Sequence, residues 1–136
     1  MQEGTTIQRQ PISKGRRWAG YVLSAIPVLL LLMGAAFDLS GSEQAVQGAA
    51  QMGYPANTVR ILGALALICA VVYAIPRTAF LGAILMSAYF GAAVATHIRA
   101  GQPLYWTLPA IIVCSITWFG LYLREPRLQE LLPVRR

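Results

Sequence analysis

Six residues of this chain have side chains whose type and spacing suit chemistry at one place: Asp38, Arg60, Tyr89, His97, Arg99 and Gln102. An imidazole passes protons near neutral pH, so His97 is the candidate general acid or base, with Tyr89 and Asp38 as further catalytic candidates. Arg60 and Arg99 are the candidate substrate-binding residues, because guanidinium groups hold anionic or carbonyl oxygens. Thr96 follows Tyr89 by seven residues, which on a helix sets the two nearly in line about two turns apart. The same residues also have a plainer reading. Arginines at a membrane edge snorkel to headgroups, Asp38 pairs with one of them, and His97 is a hydrogen-bonded residue at a helix end.

Cys69 and Cys114 each lie ten residues into an apolar run, which puts both thiols at about the same depth, roughly 15 Å at 1.5 Å per residue. They form a redox pair only if those two runs touch as helices. There is no Cys-x-x-Cys, so the plainer reading is two small buried apolar side chains. The chain has no Walker loop, no Rossmann glycine pattern, no His-Glu-x-x-His and no metal-spaced cluster of cysteine and histidine. A single histidine also excludes haem held by two histidines of one chain. No metal and no cofactor is assigned on these grounds.

The elements that must position the polar residues are apolar. Hydrophobic residues make up 57% of the 136, charged residues 12%, and the mean hydropathy is +0.56. Soluble domains carry about 25% charged residues, so this composition is that of a membrane protein, and it also excludes disorder. The net charge of +6 comes without a basic stripe, which excludes a nucleic-acid partner. Four apolar runs, Trp18 to Phe37, Val59 to Ile75, Ala79 to Thr96 and Leu104 to Leu123, hold 20, 17, 18 and 20 residues. About 20 residues of helix cross a hydrocarbon core. Backbone groups in lipid must pair within their own segment, which favours helices here over barrel strands. The expected fold is all-α, an integral membrane four-helix bundle with a short interfacial helix in the first outer loop. The first run is too long for the core of a signal peptide and is read as a retained span.

Orientation follows from charge. Arg9, Lys14, Arg16, Arg17, Arg77, Arg124, Arg127, Arg135 and Arg136 fall on one side of four alternating spans, and only Arg60 and Arg99 on the other. The positive-inside rule then predicts that both termini are cytoplasmic. This divides the chain into a basic tail 1–17, a membrane domain 18–123 and a second basic tail 124–136. Trp18, Tyr21, Tyr73, Trp118 and Tyr122 are expected at the inner headgroups, with Tyr54, Tyr105 and Trp106 at the outer ones.

Pro76-Arg77-Thr78 predicts a tight inner hairpin between spans two and three. Ser40 and Glu43 read as a capping box opening the short outer helix, which Tyr54-Pro55 ends. Span three carries Ser87, Gly91 and Ala95 at four-residue intervals, widened by Gly82, Ala83, Ala92 and Ala93. This small-residue face predicts that span three is the most buried helix. Pro27 and Pro109 predict kinks in spans one and four.

Several stretches resemble the DoxX-like family of small four-span bacterial membrane proteins. They are Met52-Gly53-Tyr54-Pro55, then Ile75-Pro76-Arg77-Thr78 through Leu81-Gly82-Ala83 to Ala93-Val94-Ala95-Thr96-His97-Ile98-Arg99. Gly120-Leu121-Tyr122-Leu123-Arg124-Glu125-Pro126-Arg127-Leu128 follows, with Leu131-Leu132-Pro133. The resemblance implies a bacterial inner-membrane protein, and some relatives are linked to thiosulfate–quinone or other thiol redox systems. The leading expectation is therefore an accessory or membrane subunit of a quinone- or thiol-linked redox system, with the lipid bilayer, redox proteins or quinone as partners. The alternative is a small membrane enzyme or binding protein acting on a lipophilic substrate in an outer polar pocket. A transporter is the third reading and would require a homo-oligomer.

Overall fold

The computed structural model describes residues 11–131. Arg9, Arg135, Arg136, Leu132 and Pro133, and with them the far parts of both basic tails, lie outside the described residues. Among the described residues six α-helices follow one another: α1 Lys14–Ser40, α2 Glu43–Gln51, α3 Val59–Ala74, α4 Ala79–Arg99, α5 Leu108–Arg124 and α6 Pro126–Leu131. Single turns of 3₁₀ helix at Ala56–Thr58, Pro76–Thr78 and Leu104–Thr107 lead into α3, α4 and α5. Among the described residues there is no strand. Taken with those turns, α1, α3, α4 and α5 are each long and apolar enough to cross a membrane. The protein is an all-α membrane bundle.

The four spans form a ring. α1 packs on α3 and α5, and α4 packs on the same two, while the diagonal pairs do not meet. Because no Cα of α3 comes within 8 Å of one in α5, Cys69 and Cys114 cannot form a disulfide, which needs Cα atoms closer than about 7 Å. Cys69 is buried in the core, and the Cys114 thiol lies 3.7 Å from Ser87 Oγ.

The ring is tightest at the end where α1 starts and α5 stops. There Tyr73, Met86, Leu121 and Thr117 are fully buried. The phenol of Tyr73 lies 2.7 Å from the Thr117 carbonyl and 3.1 Å from Ser24 Oγ. One side chain of α3 thus ties α1 and α5 across the middle of the ring. Tyr73 is therefore not a headgroup aromatic as expected: its position on the last turn of α3 points inward. Trp18, Tyr105 and Trp106 are exposed, as residues of an interfacial belt are.

Close approach at this end depends on glycine. A Cβ on Gly82 would overlap the Tyr73 backbone, and one on Gly120 would come within 2.8 Å of Ser24 Oγ. Gly91, by contrast, has nothing within 4 Å of a built Cβ and is exposed. The expected Ser87/Gly91/Ala95 face is therefore not close-packed along its length: Ser87 meets α5, its Oγ accepting from Trp118 Nε1 at 2.7 Å, while Gly91 and Ala95 are exposed, and α3 rather than α4 has the largest buried share. The physical reason is the hairpin. The short Pro76–Thr78 turn presses α3 and α4 together near Gly82, and small residues farther along permit contact without requiring it.

The prolines also divide. Pro27 is buried inside α1, which continues through it. Pro109 lies in the first turn of α5, where its missing N–H would have had no helical partner, so it starts a helix instead of kinking one.

Candidate functional site

At the opposite end of the bundle the connection between α1 and α3 crosses over the ring. α1 stops at Gly41, whose φ of 62° suits a residue without Cβ. Ser40, expected to cap the next helix, instead donates to the Phe37 carbonyl at 2.6 Å. Ser42 is the cap, accepting from the Ala45 N–H at 3.2 Å. The chain leaves α2 through Met52 and Gly53, the latter at φ 83°, one residue before the expected stop at Tyr54-Pro55. α2 is thereby held as a strap at both ends by left-handed glycines.

Two arginines flank the strap. The Arg60 guanidinium lies against Gly41, its nearest nitrogen 3.0 Å from where a Cβ would stand. Arg99 Nη2 donates to the Met52 carbonyl at 3.0 Å. Neither arginine lines the space beneath, and neither makes an ion pair with Asp38 among the described residues. Arg99 thus fastens the far end of α2, and Arg60 packs against the turn that precedes it.

Beneath the strap is a cavity of about 460 Å³ between α1, α3 and α4. Its size falls within the range of small-molecule sites, about 300–1,000 Å³. The walls are mostly apolar, with Ala45, Ala49 and Met52 as roof and Leu62 and Leu65 on one side. Asp38, Tyr54, Tyr89, Thr96 and His97 are the polar exceptions. The structure thus brings together the three catalytic candidates, Asp38, Tyr89 and His97, and leaves Arg60 and Arg99 outside the lining.

The polar groups differ in what they already bind. Thr96 donates to the Ala92 carbonyl at 2.8 Å, so the Tyr54 hydroxyl, 2.9 Å away, is the donor to Thr96 Oγ1. This bond ties the loop after α2 to α4. His97 Nδ1 is 2.7 Å from Gln102 Oε1. With that oxygen accepting, the ring proton of a neutral imidazole sits on Nδ1 and Nε2 is the acceptor. The Asp38 carboxylate and the Tyr89 hydroxyl have no hydrogen-bond partner among the described residues. Polar groups in a membrane bundle are expensive unless paired, and these two line an apolar cavity without a partner among the described residues.

Tyr54 and the α2 roof were not among the candidates from sequence. Tyr54 had the signature of a headgroup aromatic, and an alanine-rich helix carries no chemical signal. Arg124 was also missed, because its place after an apolar run is that of an ordinary basic residue at the membrane edge. It is 91% buried.

Comparison with curated proteins and with solved structures returns no match. Comparison with family sequence models does return one, spanning residues 22–120 and so taking in the strap, α3, α4, most of α1 and α5, and the cavity. On that match, which covers well over half of the sequence, the chain belongs to the DoxX-like family.

Proposed function

We propose that this protein binds a lipophilic molecule with a polar head in the cavity under α2, and that it does so as a membrane subunit of a redox system. The observation that carries the binding reading is the unpartnered Asp38 carboxylate and Tyr89 hydroxyl in an apolar cavity of about 460 Å³. A ring-shaped head that both donates and accepts suits this pair. A quinol hydroxyl donates to Asp38, and the Tyr89 hydroxyl donates to a quinone or quinol oxygen. The apolar tail leaves toward lipid. The redox setting rests on the family, some of whose members are linked to quinone and thiol systems. Cys69 and Cys114 cannot pair with each other, so a dithiol–disulfide couple within one chain is no part of this reading. The basic residues around the hairpin and both ends of the bundle support a bacterial inner-membrane location with cytoplasmic termini.

The test is binding of a short-chain quinol to the protein purified in mild detergent, followed by intrinsic tryptophan fluorescence. Asp38→Asn is expected to weaken binding about tenfold or more, the worth of a hydrogen bond to a charged acceptor. Arg60→Gln should leave the equilibrium affinity within about threefold, since Arg60 is outside the lining. Equal affinity of Asp38→Asn and the unaltered protein would remove the binding reading.

The Gln102–His97 bond favours a second reading, in which the bound molecule is also transformed. Gln102 orients the ring and His97 moves a proton. His97→Gln would then keep ligand affinity while abolishing turnover, a split that a pure binding protein does not show.

A further inference from the structure

The other end of the bundle holds a charge without an answer. Arg124, on the last turn of α5, is 91% buried. Its guanidinium lies between two aromatic rings, 5.4 Å from the centroid of Tyr21 and 5.1 Å from that of Tyr73. Among the described residues its one hydrogen bond is long, 3.5 Å from Nη2 to the Tyr73 carbonyl, and its Nε is buried with no partner. The adjacent acid does not help: Glu125 Oε1 accepts from the Arg127 backbone N–H at 3.4 Å. Among the described residues no carboxylate forms an ion pair with Arg124.

A buried arginine in a membrane bundle needs a counter-charge or an aqueous path. Ring faces and one distant carbonyl supply partial negative charge only. Beside Arg124, between α1, α3 and α5, is a cavity of about 230 Å³ lined also by Tyr21, Ser24 and Tyr73. The Tyr21 hydroxyl has no partner among the described residues and is available as a second donor. Exposed Ala25 stands among the lining residues, so the cavity opens sideways from the bundle.

We propose that Arg124 and Tyr21 form a binding site for a phosphate oxyanion, separate from the cavity under the strap. The guanidinium is the charge that recognises it, since planar N–H donors match phosphate oxygens. An anionic phospholipid headgroup and free inorganic phosphate share this chemistry, and the sideways opening favours the lipid. Tyr21 and Tyr73 keep the guanidinium in place when the site is empty.

The site is tested with the full chain in a neutral detergent by adding phosphatidylglycerol, phosphatidylcholine or inorganic phosphate and following thermal unfolding. Native mass spectrometry of the same samples counts bound lipid. Phosphatidylglycerol is expected to bind about tenfold more tightly than phosphatidylcholine and to raise the unfolding midpoint. Arg124→Gln should abolish that preference. Because Arg124→Gln also removes a buried packing group, Ala25→Phe provides a second arm, filling the cavity mouth while leaving Arg124 in place. It too should lose the preference. A rise with inorganic phosphate alone would retain the oxyanion site and make its source soluble. Equal response to both lipids with none to phosphate, or a preference that survives Ala25→Phe, would overturn the proposal.

Discussion

Tyr73 joins three helices through one oxygen. Its phenol meets the Thr117 carbonyl and Ser24 Oγ in a region from which lipid and water are excluded. Tyr73→Phe keeps the ring and removes that oxygen, leaving Ser24 without it. The expected loss is about 1–2 kcal/mol, read as a lower midpoint of unfolding in detergent. Asp38 presents the opposite case, a polar group with nothing to lose inside the chain. Because it forms no ion pair with Arg60 or Arg99, a double-mutant cycle of Asp38→Asn with Arg99→Gln should give an interaction energy within about 0.5 kcal/mol of zero. A coupling of several kcal/mol, as for a buried pair, would show that the arginine answers the carboxylate after all.

At the level of helices, the small residues of α4 are not equivalent. Gly82→Val would drive a branched side chain into the backbone of α3 at Tyr73. It should cost about 1–3 kcal/mol as overpacking, with α3 and α4 unable to separate because the turn between them is so short. Gly91→Leu adds bulk where nothing lies within 4 Å, and its effect should stay within about 1 kcal/mol, near the exchange of glycine for a better helix former. Thermal unfolding of the two variants side by side reads the contrast. The strap supplies a prediction of its own. Arg99→Gln removes the bond to the Met52 carbonyl, so a cysteine placed at Ala49 in the roof should be labelled several-fold faster, in line with one exposed hydrogen bond of about 0.5–1.5 kcal/mol.

Across the whole molecule, the two ends of the ring do different work. One is closed by Tyr73 and by glycines at helix crossings. The other is held open under a strap, because α1 and α4 do not touch and α2 roofs the gap. In a background lacking Cys69 and Cys114, cysteines at Ser13 and Gln129 should react only with reagents reaching the cytoplasm. A cysteine at Gln47, exposed on α2, should react from outside. Labelling of Ser13 and Gln47 from the same side would contradict a chain that crosses the membrane four times.

Much of this architecture was legible in the residues themselves. Four apolar runs of spanning length admit only helices in lipid, and Pro76-Arg77-Thr78 leaves α3 and α4 no choice but to be neighbours. Charge asymmetry and the gathering of Asp38 and His97 at one end, with Tyr89 about two turns deeper, were likewise visible, since alternating spans put a residue at a known end. Which face each helix turns inward was not. Every face of a span is apolar, so hydrophobic periodicity carries little signal in a bilayer, and the row at Ser87, Gly91 and Ala95 looked as good as the one at Gly82 and Ala83. Only packing chose between them, through a backbone approach at Tyr73 that no residue type announces. The same holds for the arginines. Sequence set Arg60 and Arg99 at the polar end and Arg124 at the basic one, but the fold turned the first two onto the strap and buried the third between two tyrosines, because a long side chain goes where the helices beside it leave room.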